Sequence, residues 1–149
     1  MSNVVRGLVT GAVLSVAAVG LGLGLTSAVR AEGAIAMGAS GDFAKDGFAF
    51  GASINKSSKD EASQQALETC HKYEGAPKMA EICQVVFTFS HECYALSFDP
   101  DAGTPGVGWA LAADKQTAED RAIKNCQVTA GPSRKQFCKV NQSSCDGGN

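Results

Sequence analysis

Apolar and polar positions follow two different periods along this chain, and they change over twice. Ala34-Ile35-Ala36-Met37 is a short strand-like run. After a polar, glycine-rich stretch, Phe48-Ala49-Phe50-Gly51-Ala52-Ser53-Ile54 alternates large and small residues, the two-residue period of a strand. The period then lengthens. Ala62, Ala66 and Cys70 recur every four residues with Leu67 beside them, which places them on one helical face. Ser58 followed by Glu61 supplies a capping-box start, and Gly75 with Pro77 supplies a stop, so a helix is predicted over residues 59–73. Residues 82–89 return to strand character, with Cys83, Val85, Phe87 and Phe89 expected on one face.

The pattern then runs again. Tyr94-Ala95-Leu96-Ser97-Phe98 corresponds to the first strand, and residues 99–106 form a Pro/Gly hairpin loop. Val107-Gly108-Trp109-Ala110-Leu111-Ala112 alternates large and small and is matched to residues 48–53. Ala118, Ala122 and Cys126, with Ile123, repeat the helical stripe. Thr117 is the expected N-cap of a helix over residues 118–128, with Glu119 and Asp120 favourably placed in its first turn. A polar last strand, residues 137–142, is expected at an edge, and residues 146–149 are read as a tail. Each copy thus reads strand, strand, helix, strand. The predicted fold is α+β: one mostly antiparallel six-stranded sheet with both helices on one face, the copies related by a pseudo-twofold. The repeats span residues 33–93 and 94–145 of a single duplicated domain, residues 32–149.

Residues 1–31 stand outside this pattern. Arg6 precedes an uncharged run of Leu, Val, Ala and Gly over residues 8–25, and Val29-Arg30-Ala31 fits a small-residue cleavage site, the layout of a secretory signal peptide. Cleavage before Glu32 is expected, with a cut after Ala28 as the alternative. The mature chain keeps 11 basic and 15 acidic residues, a net charge of about −4, scattered without a basic stripe. That distribution speaks against nucleic acid as a partner, and removal of the leader leaves no membrane segment. A periplasmic or secreted location is expected.

All six cysteines lie beyond the leader, an even number in an exported chain, which reads as a disulfide framework. No Cys-x-x-Cys occurs, and His71 and His91 lack zinc-ligand spacing, so no metal or other cofactor is expected. Each helix ends in a cysteine and the following strand begins with one. An antiparallel return brings those ends together, predicting Cys70–Cys83 and Cys126–Cys138. Cys93 and Cys145 remain, taken as equivalent places after the last strand of each copy. Near a pseudo-twofold axis they would meet, stapling the copies together.

The Ala-x-x-x-Ala-Leu/Ile-x-x-Cys helices, Gly108-Trp109-Ala110, Cys83-Gln84-Val85, Cys138-Lys139-Val140 and Ala34-Ile35-Ala36 together resemble the bacterial domain of unknown function 4189 family. The likeness covers nearly the whole mature chain. It implies a small exported bacterial protein and carries no catalytic residue. Phe48 and Phe50 depart from the Trp or Tyr usual there in the first copy, and the links from Cys70 to Cys83 and from Cys126 to Cys138 are longer.

Few residues suggest chemistry. Cys70-His71 and His91 near Cys93 would suit a thiol nucleophile with a base, but a paired cysteine is no nucleophile. Asp99-Pro100-Asp101-Ala102-Gly103 has the alternate acids of a calcium loop without its distal glutamate, and is read as a turn. Ser57, Ser58, Ser143 and Ser144 lack a nucleophile elbow. Asn55 and Asn141 head glycosylation sequons that carry no weight in a bacterial protein. No catalytic residue is therefore assigned. Trp109, Phe48 and Phe50 alternate with small neighbours; they form a binding surface if the helices cover the small face, and core if the helices cover the aromatics. Core is expected for most, with Trp109 the best binding candidate. The leading reading is a non-enzymatic envelope module that binds a protein or polymer, as an inhibitor or immunity factor does. The alternative is a small envelope hydrolase using Glu61, Asp99 or Asp101 as acid or base.

Overall fold

The computed structural model describes residues 31–147; the stretch read as a signal peptide, Ala31 apart, lies outside the described residues. Strand β1 (Glu32–Gly38) runs between β2 (Ala49–Lys56) and β3 (Gln84–Ser90), antiparallel to both. A second, separate sheet places β4 (Cys93–Phe98) between β5 (Val107–Ala112) and β6 (Lys139–Cys145), again antiparallel. Between these strands lie α1 (Phe43–Asp46), α2 (Lys59–His71), α3 (Pro77–Ala80), α4 (Lys115–Ala130) and a 3₁₀ turn at Lys135–Phe137.

The expected single six-stranded sheet is therefore corrected to two three-stranded ones. The reason lies in what each strand face requires. The small residues Ala34, Ala36 and Ala49 pack against Ala62, Ala66 and Cys70 of α2. In the second sheet Ala95, Ala110 and Ala112 pack against Ala118 and Ala122 of α4. The large residues point the other way. Ile35, Phe50 and Phe89 of one sheet meet Tyr94, Leu96 and Val107 of the other. Side by side in one sheet, those large faces would lie bare on the side away from the helices. Stacking the sheets covers both, at about 1.5–3 kcal/mol for each large side chain removed from water. The layers run helix, sheet, sheet, helix, so the helices cover opposite outer faces.

The close helix seats depend on two glycines. A Cβ on Gly51 would lie 2.2 Å from the carbonyl oxygen of Ala66, and one on Gly108 would lie 2.2 Å from the amide nitrogen of Cys126. Gly51 and Gly108 are thus counterparts, and the strand register agrees. Ala52 pairs with Ile35 and Trp109 pairs with Leu96. The match of Trp109 with Phe48 or Phe50 is corrected accordingly: its counterpart is Ala52, and Val107 answers to Phe50.

Irregularities also sit alike. Between Ile35 and Ala36 the pairing with β3 skips from Phe87 to Val85, and between Leu96 and Ser97 the pairing with β6 skips from Gln142 to Val140. A bulge of this kind reverses the facing of the residues beyond it. Cys83 and Val85 consequently lie on the α2 side, whereas Phe87 and Phe89 turn toward the second sheet, correcting the expectation of one shared face.

The three disulfides are Cys70–Cys83, Cys126–Cys138 and Cys93–Cys145. The pairing agrees with the expected scheme, but the third bridge has a different job. Cys93 opens β4 and lies directly across from Cys145 of β6. It belongs to the second half, and its bridge closes the second sheet rather than joining the halves. The halves are joined by their packed large faces, by the Asn55 Oδ1, which accepts from the Gly147 N–H (2.8 Å), and by Asp146. Its carboxylate accepts from the backbone N–H of Asn55 (2.6 Å) and of His91 (3.2 Å), and its own N–H donates to the Glu92 carbonyl (2.8 Å). Asn55 and His91 both have φ of 56°, a conformation such bonds hold in place. Asp146 is buried, not tail.

Helix ends shift modestly. Ser58 caps α2 by accepting from the Glu61 N–H, while the Glu61 carboxylate turns back to Ser57. Asp114, not Thr117, caps α4, so the helix starts three residues earlier than expected; Thr117 donates to Asp114 from the first turn.

Candidate binding groove

Two stacked three-stranded sheets have four edge strands, and the residues beside each edge decide whether it is open. At β5 the edge is closed. Three α4 side chains, Arg121, Asn125 and Thr129, stand four residues apart on one helical face. Arg121 Nη1 donates to the Leu111 carbonyl (3.2 Å) and Asn125 Nδ2 to the Trp109 carbonyl (2.9 Å). The Thr129 hydroxyl accepts from the Val107 N–H and donates to the Val107 carbonyl. In an antiparallel strand alternate residues direct both backbone groups outward; here Val107, Trp109 and Leu111 are those residues, and α4 satisfies both groups of Val107 and the carbonyls of Trp109 and Leu111.

At β2 the corresponding outward residues are Phe50 and Ala52, followed by Ile54, where the pairing with β1 shifts register and the next N–H, that of Asn55, goes to Asp146. The α2 residues that answer to Arg121 and Asn125 are Gln65 and Thr69, since Cys70 answers to Cys126. Thr69 spends its hydroxyl on the Gln65 carbonyl of its own helix (2.8 Å). Among the described residues no side chain of α2 bonds the outer edge of β2. Two clefts follow that edge instead. One, of about 640 Å³, is bounded by Phe48, Phe50, Leu96 and Phe98 within, and by Thr69 and Asn141 at its sides. The other, of about 430 Å³, continues past Ala52 and Ile54 to Lys56, with Gln65 and Ser143 at its sides. Together they form a groove whose walls are α2 and β6.

The three aromatics expected as a surface are divided by the fold. Phe50 is 6% exposed and packs against Tyr94, and Phe48 packs edge-on to Phe98. Both line the base of the β2 groove rather than a face. Trp109 lies at the other side of the stack, its ring 4.5 Å from that of Phe87 on β3, beside a cleft of about 470 Å³ over the β5 edge. The small faces do receive the helices, but the aromatic faces receive each other.

The chemical candidates are not brought together. Cys70 is bonded to Cys83, and the adjacent His71 holds the Ala80 carbonyl through Nδ1 (2.6 Å), tying α2 to α3. His91 stands in the turn before β4. The carboxylates of Asp99 and Asp101 do converge on a cation, but it is the guanidinium of Arg134. Nε and Nη2 grip Asp99 at 2.7 and 2.8 Å, Nη2 also reaches Asp101, and the guanidinium covers the Phe137 ring. The Arg134 side chain holds Asp99 below the usual carboxylate range, and the Ser57 hydroxyl and N–H do the same for Glu61. Both are anions at neutral pH, the wrong state for a general acid. Ser58 is consumed as a cap, and Ser143 donates to Glu119. Sequence reasoning missed Arg134, Asp146 and the Arg121/Asn125/Thr129 row. The last of these had a visible signal: polar side chains at four-residue spacing beside the alanine stripe.

Among the described residues no helix is long and apolar enough to cross a membrane, and no cluster of His, Cys, Asp and Glu suits a metal ion. No curated protein matches the chain. Among solved structures, the NMR structure of Rv1813c from Mycobacterium tuberculosis is similar at 18% identity, over 97% of this chain and 100% of that one, with a TM-score of 0.43. A protein-family model matches residues 33–145. The chain belongs to the family described as Domain of unknown function (DUF4189).

Proposed function

We propose that this protein is an exported, non-enzymatic binding module that works in the cell envelope or outside the cell, in the manner of an inhibitor or immunity factor. The observation that carries this reading is the open β2 groove, based on aromatic side chains and walled by hydroxyl and amide groups. The ionisable groups that a hydrolase would use are spent on the fold itself, with Asp99 on Arg134 and Glu61 on Ser57. Three disulfides with no free cysteine suit an oxidising compartment. Affinity capture from an envelope extract, on oxidised and on reduced protein in parallel, tests the reading. A partner retained by the oxidised form alone, and confirmed by calorimetry with the purified components, is expected. Absence of any such partner, together with turnover of an envelope polymer by the purified protein, sinks it.

A further inference from the structure

We propose that the β2 groove takes one extended polypeptide segment of a partner, which pairs with β2 as a fourth strand of the first sheet. This names the partner class for the binding module proposed above and rests on that reading. The first argument is the chemistry of the edge. Phe50 and Ala52, with the Ile54 N–H beyond them, present donors and acceptors in strand spacing, and another extended backbone matches such a row along its length. On β5 the carbonyls of the matching row and the Val107 N–H are taken by Arg121, Asn125 and Thr129. The β2 row is not, because Gln65 and Thr69 occupy the two places from which Arg121 and Asn125 act.

The second argument is shape. The edge lies at the bottom of a groove between α2 and β6, with Phe50 almost wholly buried. A lone strand fits between those walls, whereas the edge of a second intact copy would carry its own helix and sheet into them. A strand there places alternate side chains against Phe50, Leu96 and Phe98 and the others against Gln65, Thr69 and Lys72. The segment therefore alternates apolar and polar residues.

The third argument is charge. Lys56 stands at one end of the groove and Glu74 at the other, and neither takes part in an ion pair among the described residues. They complement a segment with an acidic residue near Lys56 and a basic one near Glu74. The span suits about seven residues at roughly 3.3 Å each.

The test transplants the β5 closure onto β2 with the double substitution Gln65→Arg and Thr69→Asn. Random dodecapeptides displayed on phage are selected against the immobilised oxidised full chain, and the best binders are synthesised. Enriched peptides should alternate apolar and polar residues, lose at least tenfold in affinity to the double variant, and lose binding when alternate backbone amides are N-methylated. The Ala52 and Ile54 amide protons should become protected from exchange in the complex. Should the double variant not fold, the N-methyl series and the exchange data still decide. An empty selection, or peptides indifferent to N-methylation, overturns the proposal. So does concentration-dependent self-association that the double variant abolishes, since the occupant would then be a second copy. An envelope partner that binds wild type and the folded double variant equally removes the groove but leaves the binding-module reading standing. Failure to capture any partner removes that reading instead.

Discussion

Where the second sheet sets Cys93 of β4 against Cys145 of β6 and bonds them, the first sheet sets Glu32 of β1 against Ser90 of β3. Where α4 sends Arg121 and Asn125 to the outer edge of β5, α2 sends nothing to β2. In most other respects the halves agree: strand order, the bulge on the last strand, glycine seat, and the bridge from helix end to following strand. The difference teaches that the shared frame serves two ends. The second half is closed covalently and along one edge, and the first half keeps a groove. The frame itself is not enough to satisfy an edge strand, because closure depends on two or three side chains beside it.

The largest test of this contrast removes the closing bridge. Replacing Cys93 and Cys145 together by Ala should cost about 4 kcal/mol in urea denaturation, by the chain-entropy treatment of a loop this long. Each local bridge closes a short loop, a separation of 13 or 12 residues, and is worth about 3 kcal/mol on the same treatment. If loss of Cys93–Cys145 separates the unfolding of the two halves, the bridge joins them after all. A single cooperative transition at lower urea supports its role inside the second sheet.

The glycine seats sharpen what is common. Gly51→Ala and Gly108→Ala each drive a methyl group into helix backbone that has no room to give. Each should cost about 3 kcal/mol, the upper end for an overpacked site. Costs that differ widely between the two, read from the same urea midpoints, would show that the helices are not seated alike.

The smallest effect is electrostatic and confined to the second half. Hydrogen bonds from Arg134 depress the Asp99 pKa below its ordinary value. A depressed carboxylate contributes stability that is complete above the unfolded pKa, about 4, and is lost as pH falls through the lower folded value. The stability gap between wild type and Arg134→Met should therefore be full at pH 6 and close as the solution is acidified below about 4. A gap that stays constant down to pH 2 would assign Arg134 a packing role against Phe137 instead.

Much of this was legible beforehand because the signals are local. Alanine spacing located both helices, and the placement of cysteines at helix ends located two bridges. The stacking of sheets was not legible, because alternation shows which face a residue occupies and not what covers that face. Phe50 and Trp109 are alike in sequence pattern, yet they lie on opposite sides of β1 in the stack. The bulges at Val86 and Asn141 hid the true facing of Phe87 and the register of β6, since one extra residue reverses parity without changing composition. Asp146 looked like tail because its partners, Asn55 and His91, are backbone groups far away in the chain.

The bridge between the first residue of β4 and the last of β6 turns the second half into a covalent ring. A protease that cuts once anywhere between those cysteines leaves two pieces still tied together, free to re-form the sheet. The first half has no such insurance. Residues 32–69, which hold β1, β2 and nearly all of α2, precede the first cysteine of any bridge. One cut between β2 and α2 would leave the β1–β2 hairpin held by hydrogen bonds and packed aromatics alone. The half that keeps an open groove is thus also the half that a single scission can release.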